Sequence, residues 1–588
     1  MINIKHKHTY IGPNIYSSKP VIEILVGIDS AILPDALKKI TLINQCFAHW
    51  FSWPPNNSPL SQKDIALFLV DFARAVLVEI RGAINVAKVI QDGNQYLAIL
   101  GYHNAQVSLA AMNFVAKLFL NIENLSKPEI SKSMKEFWSI CHKFHPDFEA
   151  QVLIDYCEKH NIPYRNFMPG TPYWQYGSGN KSMIFIEASP VTDNFAWSKN
   201  KSFGKMVFRN AGAPIARSVL VENEGQLNQA VKQVGFPCVI KPLDLGLGKG
   251  VLTNLRDIES VTNAYRYAKK FTNEPIMLEH YAEGEIHRLL VIRGKLWKTI
   301  RRDRPFVIGD GKSTIKLLVE QMNNRIAKHM RPGGAFGYVL PDEIFFATLK
   351  GQGLGVDSVP EKGKKIVVRG VATSGQGSVY YDVSEQVHPD TKLMSETLAS
   401  VFGIESCGLD FITEDISKSC FDAGIFIEIN CTPGLKTPEI VGVDRDEIGR
   451  VILGPVPGRI PLILVISPEQ YHEEIKTVIP SERTIGWVCG VQSGIGNTKF
   501  PGNANAVHIS LNRILKNTTV SAAVVVCDAE SIVKLGMPVD KTETTVLYNQ
   551  ELENKWIKVL EDNSNELVRL KKLKKLYELF TLHLPLHT

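Results

Sequence analysis

The sequence predicts a multidomain protein that combines α/β and α+β architecture. Its 588 residues exceed the size at which one hydrophobic core keeps growing, so two to four domains are expected. In the first part of the chain, apolar residues recur every three or four positions over Ile65–Glu79 and Ala105–Phe119, between short β-rich runs, which predicts an α+β domain. In the central part, strand and helix patterns alternate along the sequence.

Composition narrows the class of protein before any motif is considered. The net charge of +6 is small and spread along the chain, which argues against a nucleic-acid-binding protein. We find no signal-like apolar segment in MINIKHKHTY and count no apolar run of the roughly 18–20 residues that cross a bilayer. Nine cysteines without a CxxC pair are typical of a reducing compartment and argue against structural zinc. We therefore expect a cytoplasmic enzyme with no membrane partner.

A glycine-rich loop follows one short apolar strand, in VIKPLDLGLGKGV (Val239–Val251). The strand presents Lys241, and a fixed lysine is a point charge suited to polyphosphate. The loop contains Gly246, Gly248, Lys249 and Gly250, and its glycines let backbone N–H groups approach phosphate oxygens. The segment has neither the GxxxxGK[ST] spacing of a P-loop nor GxGxxG. Taken alone, it is equally typical of an ordinary glycine-rich turn.

Two downstream strands supply oxygen ligands. They are predicted from the alternation in GLDFI (Gly408–Ile412) and in IFIEINCTPG (Ile425–Gly434). Glu428 and Asn430 are two residues apart, so one strand points both side chains to the same face, where Asp410 of the preceding strand can join them. Carboxylate and amide oxygens are ligands that Mg²⁺ prefers beside nucleotide phosphates. Glutamate and asparagine in this pattern alone would more often be a solvated strand face.

Together these segments resemble the ATP-grasp ligases, and within them the cyanophycin synthetases. The resemblance implies that Lys205, in KSFGKMVFRNAGAPIARS, and Lys241 are the two lysines that hold the α- and β-phosphates of ATP. It implies that IMLEHYAEGEIHR (Ile276–Arg288) contains the hinge strand for adenine, with Glu279, His280 and Tyr281 beside the base. The runs 288–320 and 354–389 are similar to that family in order and spacing.

The resemblance also implies the domain organisation. Residues 1–160, which contain GPNIYSSKPVIEILV (Gly12–Val26) near their start, resemble the N-terminal α+β domain of cyanophycin synthetases, and residues 161–455 resemble an ATP-grasp domain. Residues 456–588 resemble a truncated, inactive muramyl-ligase-like α/β domain. There the strand PLILVI is followed by SPEQYHEE in place of a phosphate loop, and the chain ends at Thr588. The terminal run Asn565–Leu582 predicts an amphipathic basic helix that docks on its own domain.

The implied chemistry is carboxylate–amine ligation through an acyl phosphate. ATP is the phosphoryl donor, two Mg²⁺ ions lie on Asp410, Glu428 and Asn430, and the glycine loop closes over the γ-phosphate. The catalytic candidates are Lys241 and three arginines that a carboxylate or acyl phosphate could pair with: Arg288, Arg301 and Arg302. We favour Arg288 among the arginines, because it lies on a strand next to the hinge. The alternative for each arginine is a surface ion pair.

Two departures from the family affect the expected substrate. Ile286 stands where the family has an acid expected to hold ribose, with Glu285 and Glu283 as the alternative ribose ligands, and Thr373 stands near a family asparagine. The leading hypothesis is polymerisation of β-aspartyl-arginine dipeptides into cyanophycin or a related polymer. The alternatives are a peptide ligase for a specialised metabolite and a non-catalytic nucleotide-binding scaffold. The expected partners are amino-acid or dipeptide substrates, a growing peptide chain, and further copies of the chain in a dimer or tetramer.

Overall fold

The computed structural model divides the chain into two compact units. Met1–Phe185 and Leu453–Thr588 together form one of them, here called the split unit, and Ile186–Ile452 form the other, the central unit. The structure describes residues 1–585 except 49, 54–58, 81, 83, 94, 169, 192–200, 246–249, 330–337, 371, 373–376 and 502–505. The predicted ranges 1–160 and 456–588 thus lie in the same unit.

The first segment of the split unit contains a sheet, five helices and a smaller group of strands. Its elements in chain order are β1 Ile2–Tyr10, β2 Val21–Ile28, α1 Leu33–Phe47, α2 Gln62–Glu79, β3 Ala87–Asp92, β4 Gln95–Gly101, α3 Ala105–Asn121, α4 Lys127–Cys141, α5 Phe148–Lys159, β5 Tyr164–Asn166, β6 Tyr173–Ser178 and β7 Lys181–Ile186. The first four strands pair in the antiparallel order β1-β2-β4-β3, here called the first sheet.

The central unit contains two main antiparallel sheets with helices around them. Its elements are β8 Ser189–Pro190, α6 Lys201–Asn210, β9 Ser218–Val221, α7 Leu227–Val234, β10 Cys238–Pro242, β11 Leu252–Leu255, α8 Ile258–Ala268, β12 Ile276–His280, β13 Glu285–Ile292, β14 Lys295–Asp303, β15 Phe306–Ile308, α9 Ile315–His329, α10 Glu343–Lys350, β16 Lys365–Val367, β17 Val379–Asp382, α11 Pro389–Phe402, β18 Cys407–Thr413, β19 Ile425–Asn430, α12 Lys436–Ile440 and α13 Arg445–Leu453. The strand orders are β11-β10-β12-β9, the four-stranded sheet, and β17-β14-β13-β18-β19, the five-stranded sheet.

The last segment is an α/β layer built on a mostly parallel sheet. Its elements are β20 Leu462–Ile466, α14 His472–Lys476, β21 Ile485–Cys489, β22 Gln492–Ile495, β23 Thr498–Lys499, α15 Val507–Leu515, β24 Ala522–Cys527, α16 Ala529–Leu535, β25 Thr542–Tyr548, α17 Asn554–Asp562, β26 Ser564–Leu570 and α18 Leu573–His583. The strands run in the order β23-β22-β21-β24-β20-β25-β26, the C-terminal sheet, and β21, β24, β20, β25 and β26 are parallel.

The first sheet has an apolar core on each of its faces. Strand side chains alternate between faces, so neighbouring residues of β4 enter different cores. Ala98 and Leu100 pack with α2 and α3, whereas Leu97 and Ile99 pack with C-terminal residues such as Trp556. The two chain segments are also joined by backbone hydrogen bonds, including Ile11 N–H to Leu535 O at 2.9 Å. The C-terminal sheet therefore completes the core of the first sheet.

The end of the chain corrects one sequence prediction. The run 565–582 is not one helix: Ser564–Leu570 form strand β26, and the helix begins only at Leu573. Leucines three residues apart fall on opposite faces of a strand, and Leu567 and Leu570 indeed pack in different cores. Pairing with β25 across Thr542–Tyr548 decides the outcome. Within the remaining helix, Leu576 and Phe580 are buried, so it does dock on its own unit.

One helical run is long and apolar enough to cross a membrane by length and composition. It spans Ala105–Asn124 and has a mean hydropathy of 1.3. From the sequence we expected no apolar run of this length, so that expectation is corrected here. Half of its apolar window is buried inside the protein. Its residues Val107, Met112 and Phe119 pack in the core beside the first sheet, as in the core helix of a globular domain.

Candidate active site

The five-stranded sheet gathers four of the predicted site residues on one face. In the antiparallel register, Arg288 of β13 lies opposite Asp410 of β18, which lies opposite Glu428 of β19. Asn430 follows two residues after Glu428 and lies opposite Gly408, so it shares this face. The alternating residues Leu289, Leu409 and Phe411 point to the other face, into the core with α11. The alternation predicted from sequence thus brings the proposed metal ligands together.

The two carboxyl groups at this face act on each other electrostatically. Burial and the negative charge of Asp410, the residue opposite, raise the pKa of Glu428. Burial also disfavours the charge of Asp410, but Arg288 and Arg302 outweigh it and hold the pKa of that carboxyl below its ordinary value. Two buried carboxylates side by side repel each other unless a proton or a cation lies between them.

The donor set fits Mg²⁺. Among the described residues, no three His, Cys, Asp or Glu side chains cluster as a metal site, so protein-only coordination by such groups is not provided there. The face instead offers two carboxylates and an amide, with the Asn430 side chain 3.5 Å from Glu428 Oε1. Mg²⁺ commonly takes one or two carboxylates and completes its shell with water and substrate phosphates. Asp410, Glu428 and Asn430 are therefore suitable ligands for nucleotide-bound Mg²⁺.

Arg288 is held on three sides. Its Nη1 donates to Asp410 Oδ1 at 2.9 Å, its Nη2 to Thr432 O at 3.1 Å and its Nε to Pro433 O at 3.3 Å. The guanidinium lies directly over Gly408, where a Cβ would fall well inside van der Waals contact with Arg288 Nε. The glycine and the turn after β19 thus fix the arginine in place beside the acidic pair.

The other two predicted arginines lie on opposite faces of β14. Arg302 pairs with Ile286 and shares the face of Arg288, whereas Arg301 pairs with His287 on the reverse face. Arg302 Nε is buried without a hydrogen-bond partner, and its guanidinium lies 5.9 Å from the Tyr380 ring centre. Arg301 donates to Asp303 at 2.9 Å and stacks 4.6 Å from the Tyr381 ring centre. Of these two arginines, Arg302 is the one that has an unused donor, Nε, on the face of the carboxylates.

Lys205 and Lys241 converge on one glutamate. Lys205 is on helix α6 and Lys241 on strand β10, and both pair with Glu279 of β12. All three side chains are buried, with residue exposures of 5%, 8% and 3%. Two lysine amino groups beside one glutamate gather hydrogen-bond donors in a buried position, which is suited to a polyphosphate. Glu279 therefore lies with the phosphate lysines, on the strand predicted to carry the hinge.

The two lysines have strongly lowered pKa values. Burial lowers the pKa of Lys205 to about 6, with repulsion from Lys241 and Arg209 adding to it. Burial also lowers the pKa of Lys241 to about 8, although Glu428 and Asp410 act in the opposite direction. The attraction of Lys241 to these carboxylates connects the lysine cluster to the acidic face of the five-stranded sheet. The same electrostatic field would therefore act on both ends of a bound polyphosphate.

Sequence reasoning missed Lys201, one helical turn before Lys205. Its ammonium donates to the carbonyl oxygens of Leu243 and Leu245, at the start of the glycine loop. Its charge also lowers the pKa of Glu428. The spacing of four residues in KSFGK places both lysines on one helix face and could have identified it.

The hinge and the glycine loop are described only in part. Strand β12 ends at His280, whose backbone N–H donates to Arg217 O, and the N–H of Tyr281 donates to Pro237 O, both at 2.9 Å. The predicted phosphate-binding residues Gly246, Gly248 and Lys249 lie outside the described residues, as does Thr373. Gly250 is described and has φ +74°, a conformation that L side chains rarely adopt, so this end of the loop requires glycine.

The comparisons identify relatives of the same kind. The family model described as ATP-grasp domain matches residues 206–296. A cyanophycin synthetase of Crocosphaera subtropica is 28% identical over 416 residues, covering 68% of this chain and 48% of the relative. A cyanophycin synthetase of Trichormus variabilis is 24% identical over 497 residues, which cover 81% of this chain and 54% of the relative. The crystal structure of a bifunctional glutathione synthetase from Pasteurella multocida is similar with a TM-score of 0.38 and 19% identity, covering 57% of this chain and 48% of that one.

These similarities cover this chain more fully than they cover the relatives. The chain spans about half the length of the two cyanophycin synthetases, and each match includes more than two thirds of the chain itself. The matched ATP-grasp segment holds the strands of Lys241 and Glu279 and the strand of Arg288. The chain therefore contains an ATP-grasp domain in an α/β multidomain fold and is similar to the cyanophycin synthetases over most of its length.

Proposed function

We propose that this protein is an ATP-dependent carboxylate–amine ligase that forms peptide bonds through an acyl phosphate. The observation that carries the proposal is one face of the five-stranded sheet in the central unit. It presents Asp410, Glu428 and Asn430 beside Arg288, and its carboxylates act electrostatically on the buried Lys241. A nucleotide-binding scaffold without catalysis would have no need of this metal-ligand set.

The lysines and the acidic face have complementary roles. Lys205 and Lys241 hold the α- and β-phosphates, Glu279 orients both ammonium groups, and Lys201 anchors the start of the glycine loop. Asp410, Glu428 and Asn430 hold Mg²⁺, with two ions expected. Mg²⁺ held by these residues would neutralise charge on the nucleotide phosphates, and phosphoryl transfer depends mostly on charge and position.

Arg288 and Arg302 have different roles in the proposed reaction. Arg288 is already bound to Asp410 and two carbonyl groups, so it positions the metal face. Arg302 has a free buried donor and is the stronger candidate for the substrate carboxylate and the acyl phosphate formed from it. The substrate amine, bound uncharged, attacks the acyl carbon, and inorganic phosphate leaves with the carboxyl oxygen that had accepted the γ-phosphoryl group. ATP is thereby converted to ADP and phosphate.

The finer proposal concerns the substrate. We propose that the chain joins β-aspartyl-arginine dipeptides, because its similarity is to cyanophycin synthetases and the strand Leu462–Ile466 is followed by Ser467 and Pro468 where a second phosphate loop would be needed. The alternative is ligation of other amino acids or peptides. It is favoured by Thr373, which stands near an asparagine of the family in the lid-like run 369–378.

Three further parts of the sequence analysis stay as proposals. We propose an N-terminal domain over 1–160, an ATP-grasp domain over 161–455 and an inactive muramyl-ligase-like domain over 456–588. The last would act in structural support, since its sheet completes the core of the first sheet. Assembly as a dimer or tetramer and a cytoplasmic location are proposed on the similarity to cyanophycin synthetases.

The test is ATP-dependent ADP release by the purified chain with Mg²⁺. Single amino acids and β-aspartyl-arginine are offered one at a time, with and without a short cyanophycin primer, and products are identified by mass spectrometry. We expect turnover with the dipeptide and none with free amino acids; the reverse result would refute the dipeptide assignment.

A lysine variant tests the mechanism in the same assay. Lys241→Ala should reduce turnover about 10²–10³-fold, as loss of a charge-stabilising group typically does. The exposed Lys232→Ala in the same unit is the matched control and should match the wild type. Full activity of Lys241→Ala would refute the proposed nucleotide site.

A further inference from the structure

A cavity separate from the candidate active site lies within the split unit. Its volume is about 440 Å³, within the range of about 300–1,000 Å³ typical of small-molecule pockets. The walls come from strand β5, helix α15, the segment after β1 and the loop before β25, which includes Val539 and Asp540. Apolar and aromatic side chains such as Trp174 and Leu515 form much of its surface.

Three polar side chains on these walls have a buried atom without a hydrogen-bond partner. They are Arg165 Nε, Asn166 Oδ1 and His508 Nδ1. Arg165 donates through Nη1 to Asn512 Oδ1 at 3.0 Å, and Asn512 lies one turn of α15 beyond His508. Buried polar atoms are nearly always satisfied, so three unsatisfied atoms on one cavity wall indicate a missing polar partner. One of them is a donor on a cation and one is an acceptor.

The charges around the cavity leave an excess of cations. Glu158 pairs with Lys19 at 3.0 Å and also accepts a hydrogen bond from the Tyr164 hydroxyl. Asp540 accepts hydrogen bonds from both Nη atoms of Arg459, each at 2.7 Å. Both lining carboxylates are hydrogen-bonded to other residues, and although Asp540 attracts Arg165 electrostatically, Arg165 Nε has no hydrogen-bond partner. Burial lowers the pKa of Arg165 only to about 10, so the guanidinium keeps its charge at neutral pH. Lys516 adds a further positive charge near Arg165.

We propose that this cavity binds a small ligand with a carboxylate and an N–H donor, the chemistry of an amino acid or of the C-terminal residue of a peptide. The carboxylate accepts from Arg165 Nε, and the N–H group donates to Asn166 Oδ1. The walls formed by Trp174, Leu515 and Val539 cover the apolar part of the ligand. No residue of the ligase site takes part, so this site would bind without nucleotide.

Binding to the nucleotide-free full chain by isothermal calorimetry tests the site. The probes are L-aspartate, L-arginine, β-aspartyl-arginine and a short cyanophycin peptide; their choice rests on the proposed function, but the site does not. The free compounds distinguish a small-molecule site from one for a chain end. A β-aspartyl-arginine probe with its carboxyl groups amidated serves as the ligand control and should bind at least tenfold more weakly than the free dipeptide.

Variants assign the binding to the cavity. Arg165→Gln and Asn166→Asp should each weaken binding of the best probe at least tenfold, because one removes the cation and the other places a competing carboxylate beside it. The exposed Arg569→Gln, in the same unit, should bind like the wild type. Thermal unfolding shows whether each variant is folded. If Arg165→Gln does not fold, the affinity of Asn166→Asp alone tests whether the probe binds in the cavity.

The outcomes separate this site from the proposed reaction. No binding of any probe, equal binding of the amidated dipeptide, or wild-type affinity in both cavity variants would overturn the proposal. Probe binding that is lost in Arg165→Gln supports it even if the protein releases no ADP, in which case the proposed function fails alone. Conversely, ADP release without probe binding in the cavity leaves the ligase proposal standing and refutes this one.

Discussion

At the scale of single residues, Arg301 and Arg302 differ in function because of strand alternation. The sequence presents them as equivalent neighbours, but the pairing of β13 and β14 places Arg302 with the carboxylates and Arg301 on the reverse face. Arg301 is also already paired with Asp303 and stacked on Tyr381. The two residues therefore form an internal comparison for the proposed reaction.

Arg302→Gln should lower kcat about 10²-fold, because it removes the buried donor proposed for the acyl phosphate. Arg301→Gln should change kcat less than about fivefold per folded molecule, since a partly exposed ion pair contributes about 0–1 kcal/mol. Steady-state ADP release, corrected for folded fraction, measures both. Equal losses in the two variants would contradict the assignment to opposite faces.

The lowered pKa of Lys205 predicts proton uptake when nucleotide binds. In the free protein this pKa is about 6, so the side chain is mostly neutral at pH 8. A bound polyphosphate favours the ammonium form and raises the pKa, so binding takes up a proton between pH 6 and the raised value. Below pH 6 the lysine is protonated before and after binding, and its contribution disappears.

Calorimetry of Mg-ADP binding in buffers of different ionisation enthalpy measures this uptake. At pH 8 we expect a net uptake that falls when Lys205 is replaced by arginine, which stays protonated throughout. Lys241, with its pKa of about 8, adds a smaller share. Identical proton uptake in the wild type and Lys205→Arg would show that Lys205 binds as a cation from the start.

Much of the residue-level site follows from local sequence. Asp410, Glu428 and Asn430 could be placed on one face because a strand period of two is fixed. Burial and register are not local, so the sequence did not separate Arg301 from Arg302 or show that Arg288 is held by backbone carbonyls of Thr432 and Pro433. Lys201 lies outside the motifs that indicated the site, although its spacing of four residues from Lys205 places both on one helix face.

At the scale of elements, the close pairing of β13 and β18 depends on Gly408. The residue has no side chain at the point where the Arg288 guanidinium crosses the strand. A methyl group there would occupy the space of Arg288 Nε and push the guanidinium away from Asp410. A glycine that the sequence shows only as part of GLD thus sets the geometry of the acidic face.

Gly408→Ala should therefore reduce activity about 10–100-fold while leaving most of the fold intact, on the scale of a positioning residue. The expected cause is displacement of Arg288, so Arg288→Ala should add little further loss in the double variant. Gly355→Ala is the control: its nearest neighbour atom would be 3.9 Å away and its activity should match the wild type. Wild-type turnover in Gly408→Ala would show that Arg288 need not be fixed.

The elements also show where sequence patterns fail. The strands around Asp410 and Glu428 were predicted from short apolar runs that end at a proline–glycine turn, although a register shift between Asp410 and Phe411 interrupts the alternation. The leucines after residue 565 are spaced by three, as in a helix, and only pairing with β25 makes Ser564–Leu570 the edge strand of the C-terminal sheet. Pairing with a distant segment is not encoded in the local pattern.

At the scale of the whole molecule, the chain builds its split unit from its two ends. Tyr10 and Ile99 of the first segment share a core with Leu464 and Trp556 of the last. Gly12 lies against the backbone of Met537 so closely that a Cβ would overlap its carbonyl oxygen. The sequence predicted three successive domains and did not show that the first and last share a core, because contacts between segments so far apart in the chain leave no local sequence pattern.

Calorimetric unfolding should therefore show two transitions that respond to different changes. A non-hydrolysable ATP analogue with Mg²⁺ should raise only the transition of the central unit, by about 2.7 kcal/mol at a hundred times its Kd. Gly12→Ala should lower only the transition of the split unit, by about 1–3 kcal/mol. Gly27→Ala, whose nearest contact would be 3.5 Å, is the matched control. A single transition that both changes shift would contradict independent units.

The shared core has a consequence during synthesis on the ribosome. The first sheet leaves the ribosome early, but the apolar face that contains Leu97 and Ile99 receives its cover only after residue 453. At about 5–20 residues per second, translation of the whole central unit takes roughly 10–50 s. Throughout that time the nascent chain carries an uncovered apolar sheet face, so trigger-factor-like chaperones and slow elongation should decide how much soluble protein a cell obtains.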